Sequence, residues 1–156
     1  MTKEEKQKKP LHEVFASLKT AKKESTLIRK LQEADSFALR TLLQGNFDPN
    51  IKFDFPEGAP PFEKLNDEVE LTRNMINLVG MCHTGARGNA VGKEVQFIKF
   101  LEKINRRDAA LFVLMKDRAL EKKFPFLTED LVRKAFPNLL PPKVEDDTQT
   151  LDDSPQ

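Results

Sequence analysis

Along most of this chain apolar residues recur every three or four positions, and in one stretch they alternate. Leu11, Val14, Phe15 and Leu18 fall at i, i+3, i+4 and i+7 behind Pro10, a good first-turn residue, and so mark one face of a short helix. Lys19, Lys22 and Lys23 signal its end. Ser25 is placed to cap a second helix carrying Leu27, Ile28 and Leu31, and Asp35 a third carrying Ala38, Leu39, Leu42 and Leu43, which Gly45 and Asn46 stop. Asn66 or Asp67 caps a fourth through Val69, Met75, Ile76 and Val79, closed by Gly80. A fifth begins near Val91 and buries Phe97, Phe100, Leu101 and Ile104. Asp108 reads as the cap of a sixth, whose segment 109–115 is apolar all round and belongs at the centre of the fold. That helix is expected to run on through the charged segment 116–123 until Pro125 breaks it. Thr128 caps a last short helix with Leu131, Val132, Ala135 and Phe136, and Pro137, Pro141 and Pro142 end the ordered chain.

Residues 48–62 break this rhythm. Pro49, Pro56, Pro60 and Pro61 exclude a helix there, because each removes a backbone donor and pushes the preceding residue to extended geometry. Ile51, Phe53 and Phe55 alternate with Lys52 and Asp54, so an extended backbone presents three apolar groups on one face. Those three are expected to face the helices, and Pro60, Pro61 and Phe62 to lie on the surface. The fold class is therefore all-α: one compact domain over residues 10–142, with about six to eight short helices interrupted by one extended Pro/Phe-rich segment. Residues 80–92, rich in glycine, read as a flexible loop. A Lys-rich arm, 1–9, and an acidic tail, 143–156, are expected to be disordered.

Length and charge narrow the function. A chain of 156 residues and 17.9 kDa, 38% hydrophobic, has the apolar content for one modest core. It contains no run long enough for a membrane helix, and the polar N-terminus lacks the apolar stretch of a signal peptide, so a cytoplasmic protein is expected. The single cysteine, Cys82, agrees with a reducing compartment. The net charge of +1 conceals an asymmetry: every Lys and Arg lies at or before Lys143, which leaves residues 1–144 at +6 and the tail at −5. A basic body with an acidic tail suits nucleic-acid binding, but a charge of +6 is ordinary for a domain of this size, and the preferred reading is a solvated body with a solubilising tail.

No constellation points to catalysis. Gly88 to Lys93 resembles a truncated phosphate-binding loop but has three residues between the glycines where four are needed, and Glu94 where a hydroxyl must reach magnesium. Two histidines, His12 and His83, and one cysteine do not make a closed zinc site. Cys82 beside His83 is better read as a small buried residue than as a dyad. Glu63, Asp67, Glu68 and Glu70 lie on a polar stretch without the burial that shifts a carboxylate. No enzyme, metal or cofactor is expected.

Two binding surfaces stand out. The first is Phe55, Pro56, Pro60, Pro61 and Phe62, where pre-ordered prolines lose little entropy on docking to a protein. The second is basic: Lys99, Lys103 and Arg106 or Arg107 recur at i, i+4 and i+7 or i+8 on the fifth helix, with Arg87 and Lys93 in the loop before it. Such a stripe tracks phosphates, or is an ordinary solvated helix face.

Several segments together carry a likeness. Residues 34–40 (Ala-Asp-Ser-Phe-Ala-Leu-Arg), 47–53, the element Pro56-Glu57-Gly58-Ala59-Pro60-Pro61-Phe62, Lys116-Asp117 and 127–137 resemble a family of short uncharacterised proteins encoded by tailed, T-even-like bacteriophages. The likeness covers roughly residues 11–140, with Phe62 where a tyrosine is usual. It implies a phage product acting in the cytoplasm of an infected bacterium, with no catalytic residues to transfer. Two functions follow as expectations: a non-enzymatic accessory protein that binds a host or phage protein, or a nucleic-acid-binding accessory factor in phage replication, transcription or packaging. Oligomeric state stays open.

Overall fold

The computed structural model describes residues 10–62, 72, 76–85 and 87–142. Within them are seven α-helices, one 3₁₀-helix and no strand: α1 (Leu11–Leu18), α2 (Glu24–Glu33), α3 (Phe37–Phe47), the 3₁₀-helix (Ile76–Met81), α4 (Ala90–Lys103), α5 (Arg106–Lys116), α6 (Leu120–Lys123) and α7 (Glu129–Ala135). The arm 1–9, the tail 143–156 and most of the fourth expected helix lie outside the described residues.

The apolar faces read from periodicity are the ones that pack. Leu11, Val14, Phe15 and Leu18 of α1 are buried, as are Phe97, Phe100, Leu101 and Ile104 along and just past α4. Helix α5 lies against α1, α3 and α4, while α2 pairs with α7 and the 3₁₀-helix sits between α3 and α4. Burial of Ala109, Leu111, Phe112 and Met115 places α5 centrally, but it is not buried all round: Ala110 is exposed and Val113 and Leu114 are half-buried.

Helix boundaries differ from expectation where a polar side chain has a more demanding partner than the nearest helix end. Glu24 begins α2 with no side-chain cap, so Ser25 is inside it. Ser36, not Asp35, caps α3 by accepting from the Leu39 N–H at 3.1 Å; Asp35 instead accepts both arms of Arg40, at 2.6 and 2.7 Å. Asn105, not Asp108, caps α5 through the Arg107 N–H at 2.8 Å. Asp108 is buried one turn in, where its Oδ1 lies 2.7 Å from His12 Nδ1 and accepts the His12 backbone N–H, and its Oδ2 accepts the Thr72 hydroxyl. Thr128 caps α7 as expected, accepting from Leu131 at 3.1 Å.

Gly45 and Asn46 do not stop α3, which runs to Phe47. Gly45 is there for proximity: a Cβ on it would fall 2.4 Å from Met115 Sδ, so its absence lets α5 approach. Asn46 is buried and reaches α6, accepting the Leu120 N–H at 3.1 Å and donating to Glu121 at 3.0 Å. The cap that α6 lacks locally is thus supplied from 74 residues away.

Candidate functional site

The extended segment 48–62 is laid along the protein by a turn of three charged residues. Helix α5 does not continue past Lys116 as the charged run suggested. It ends in a Schellman arrangement in which the Ala119 N–H donates to Leu114 O at 2.9 Å and the Arg118 N–H to Met115 O at 2.9 Å. Arg118 occupies the left-handed position, φ 55°, where glycine is usual. Its side chain accounts for the exception. One guanidinium nitrogen donates to Asn46 O at 3.0 Å, and the other to Asp48 O and, at 2.6 Å, to Ile51 O. A single side chain therefore closes the end of α3 and the start of the segment.

The other two residues of the turn hold the far end. Lys116 is buried, and its ammonium donates to Pro56 O at 2.8 Å and to Asp117 Oδ1 at 2.6 Å. Asp117 Oδ2 accepts the Gly58 N–H at 3.0 Å, and Gly58 takes φ 91°, which only glycine adopts without strain. The charge of Lys116 is compensated on the spot, as burial demands.

Between these two anchors the alternation behaves as expected. Ile51, Phe53 and Phe55 are half-buried while Lys52 and Asp54 are exposed. Phe55 stacks on Phe97 with centroids 5.4 Å apart, Phe53 meets the same ring at 6.1 Å, and Phe97 leads through Phe100 to Phe112 in the core. The glycine-rich loop is tied to the segment as well: the Thr84 N–H donates to Lys52 O at 2.7 Å, and Lys93 Nζ donates to Thr84 O at 3.2 Å. Lys93 is thereby turned away from any phosphate cradle, and the Gly92 N–H is taken by its cap Asn89 at 2.7 Å.

The residues proposed for protein binding are brought together on one loop, with unequal exposure. Pro56, Glu57, Gly58, Ala59 and Pro61 are exposed; Phe55, Pro60 and Phe62 are half-buried. Phe62 packs against the core, which corrects the expectation that it lies on the surface with the prolines. The loop and α4 enclose a small pocket of about 100 Å³ lined by Phe55, Pro60, Pro61, Glu94, Phe97 and Lys116 among others.

The basic residues are less united. Lys99 and Lys103 are exposed on α4, but that helix ends at Lys103, and Arg106 and Arg107 open α5 after a break at Ile104 and Asn105. The spacing i, i+4, i+7 therefore does not define one helix face. Arg87 is exposed in the loop and Lys93 is half-buried.

Cys82 is buried, and desolvation pushes its thiol up to about 11, with Lys93 opposing. That environment disfavours the thiolate a nucleophile needs, and His83 spends Nδ1 on the Gly85 N–H at 3.1 Å. Among the described residues no group of three or more His, Cys, Asp or Glu is placed to hold a metal, and no helix is long and apolar enough to cross a membrane. A second groove escaped the reading of periodicity. It is an open cleft of about 480 Å³ between α3 and the turn after α7, flanked by Phe37, which is 64% exposed. Arg40 at its edge is held by Asp35, which raises its pKa.

Neither the curated proteins nor the solved structures contain a match to this chain. The model of a family of unknown function, DUF6433, does match, over residues 14–122. That span is well over half of the chain and takes in both the extended segment and the Lys116-Asp117-Arg118 turn that holds it, and the chain accordingly belongs to this family.

Proposed function

We propose that this protein is a non-enzymatic accessory protein of a tailed bacteriophage that binds a host or phage protein in the infected cell, through the loop 56–61. The observation that carries the reading is the double anchoring of that loop by Lys116 and Asp117. A proline-rich loop whose backbone is already fixed forfeits little conformational freedom on docking, so its exposed groups contribute to affinity almost undiminished. The phage setting is supported by the likeness in sequence described above.

A second reading, a nucleic-acid-binding factor in phage replication, transcription or packaging, is favoured by the exposure of Lys99, Lys103, Arg106 and Arg107 around the α4–α5 corner. Affinity purification of the tagged protein from infected cells, with and without nuclease, separates the two. The first reading expects a protein recovered in both cases and lost with the doubly substituted Pro60→Ala, Pro61→Ala chain. Recovery that nuclease abolishes, with affinity that falls steeply with salt and weakens on replacing Lys99, Lys103 and Arg107 by Ala, would overturn it in favour of the second.

A further inference from the structure

The pocket under the loop has a chemistry that selects its occupant. Its walls are apolar, built from the rings of Phe55 and Phe97 and from Pro60 and Pro61. Its polar groups are nearly all acceptors. Pro56, Pro60 and Pro61 bring carbonyls but no N–H. The Gly58 N–H is spent on Asp117, and Lys116 is spent on Asp117 and Pro56 O. What remains for a visitor among the described residues is the carboxylates of Glu57 and Glu94 and the backbone carbonyls from Glu57 to Pro61, on none of which a donor is seated, against two free donors, the N–H groups of Glu57 and Ala59. With Lys116 neutralised by Asp117, the two glutamates leave the rim negative.

We propose that this pocket receives the guanidinium of an arginine presented by the partner protein, and the proposal rests on the protein-binding reading for the source of that arginine. About 100 Å³ admits the head of one side chain and not a helix. A guanidinium is flat enough to lie against Phe55 and Pro60, carries five donors in a fork suited to carboxylates, and accepts nothing, which matches a surface on which free acceptors outnumber free donors. Lysine is the poorer occupant, because its compact ammonium is more strongly hydrated and does not stack. An anionic group is repelled by Glu57 and Glu94.

The probe is N-acetylarginine amide, titrated into the full chain while backbone amides are followed by NMR. The expected result is saturable shifts at Gly58, Ala59, Glu94 and Phe97, with the citrulline analogue, of the same shape but uncharged, binding at least fivefold more weakly. Glu57→Gln with Glu94→Gln should weaken the arginine probe by about fivefold, the worth of two exposed charge pairs, without altering the fold. Equal affinity for citrulline, shifts scattered over acidic residues elsewhere, or indifference to the double substitution would overturn the proposal. Recovery of a partner from infected cells keeps the two claims apart. A partner recovered equally well by the native and doubly substituted chains, when the probe does not bind, sinks the pocket and leaves the protein-binding reading standing. Selective binding of the probe with no partner recovered does the reverse.

Discussion

Replacing Arg118 tests how the extended segment is held. In the native protein one ionised side chain donates to the carbonyls of Asn46, Asp48 and Ile51. A hydrogen bond from a charged donor contributes about 1.5–3 kcal/mol. The three here share the cost of ordering one side chain, and carbonyls freed near the surface recover water, so Arg118→Ala should destabilise by about 3–4 kcal/mol rather than by the full sum. Alanine also inherits the left-handed backbone, φ 55°. Glycine does not suffer there, so Arg118→Gly should be less damaging than alanine by about 1 kcal/mol although it removes the same bonds. Urea unfolding followed by far-UV circular dichroism measures both. Trypsin should also cut faster after Lys52, whose side chain is exposed on a backbone that Arg118 no longer steadies. A loss below about 1 kcal/mol for alanine, or a glycine variant no more stable than alanine, would refute this account of the turn.

Three further substitutions probe the packing. Gly45→Ala gains about 1 kcal/mol of helix propensity but drives its Cβ into the side chain of buried Met115, so a net loss of about 1 kcal/mol is expected in the same assay; stabilisation would show that Met115 moves aside freely. Asp108→Asn should cost about 1–3 kcal/mol because it weakens acceptance from His12 and Thr72, whereas Asp54→Asn on the exposed face should stay within about 0.5 kcal/mol. Cys82 sets a pH dependence: its thiol titrates at about 11 when folded and near the ordinary 9.0 when unfolded. Below pH 9 both states keep the proton, and between 9 and 11 the unfolded chain releases it first, so stability should fall by up to about 2–3 kcal/mol over that window. Unfolding curves at pH 8 and 10.5 for the native chain and Cys82→Ala check it, and an equal fall in both would assign the effect to other groups.

The elements that were legible in the sequence are those whose signal is local. The face Leu11, Val14, Phe15, Leu18 and the alternation Ile51, Phe53, Phe55 need only backbone geometry and the preference of apolar groups for the interior. Thr128 has no competing partner and caps as its position suggests. Asp108 looked equally good as a cap, but a histidine from 96 residues away offers its carboxylate both a ring nitrogen and a backbone N–H, and Asn105 takes the cap. The holding turn was hidden for the same reason. Lys116, Asp117 and Arg118 are helix-compatible charges in a chain that is 33% charged, and nothing near them announces that Lys116 and Arg118 meet carbonyls at 46–56 and Asp117 the Gly58 N–H. The basic stripe failed in the opposite direction, because a regular spacing of Lys and Arg was carried across Asn105, where the backbone turns and the spacing loses its geometric meaning.

The distance along the chain between Arg118 and the carbonyls it gathers also governs the order in which the molecule can be made. Some 67–72 residues separate the two. Synthesis at about 5–20 residues per second puts an interval on the order of 4–14 s between the appearance of the segment and that of its anchor. For the first part of that interval Phe53 and Phe55 have no Phe97 to lie against, throughout it they have no Lys116-Asp117-Arg118 turn, and the prolines around them keep the stretch from sheltering in a helix of its own. A nascent chain of this family thus carries an apolar, extended strip in the open until the second half has been made. During synthesis the docking of that strip onto its holding turn cannot precede the appearance of Arg118.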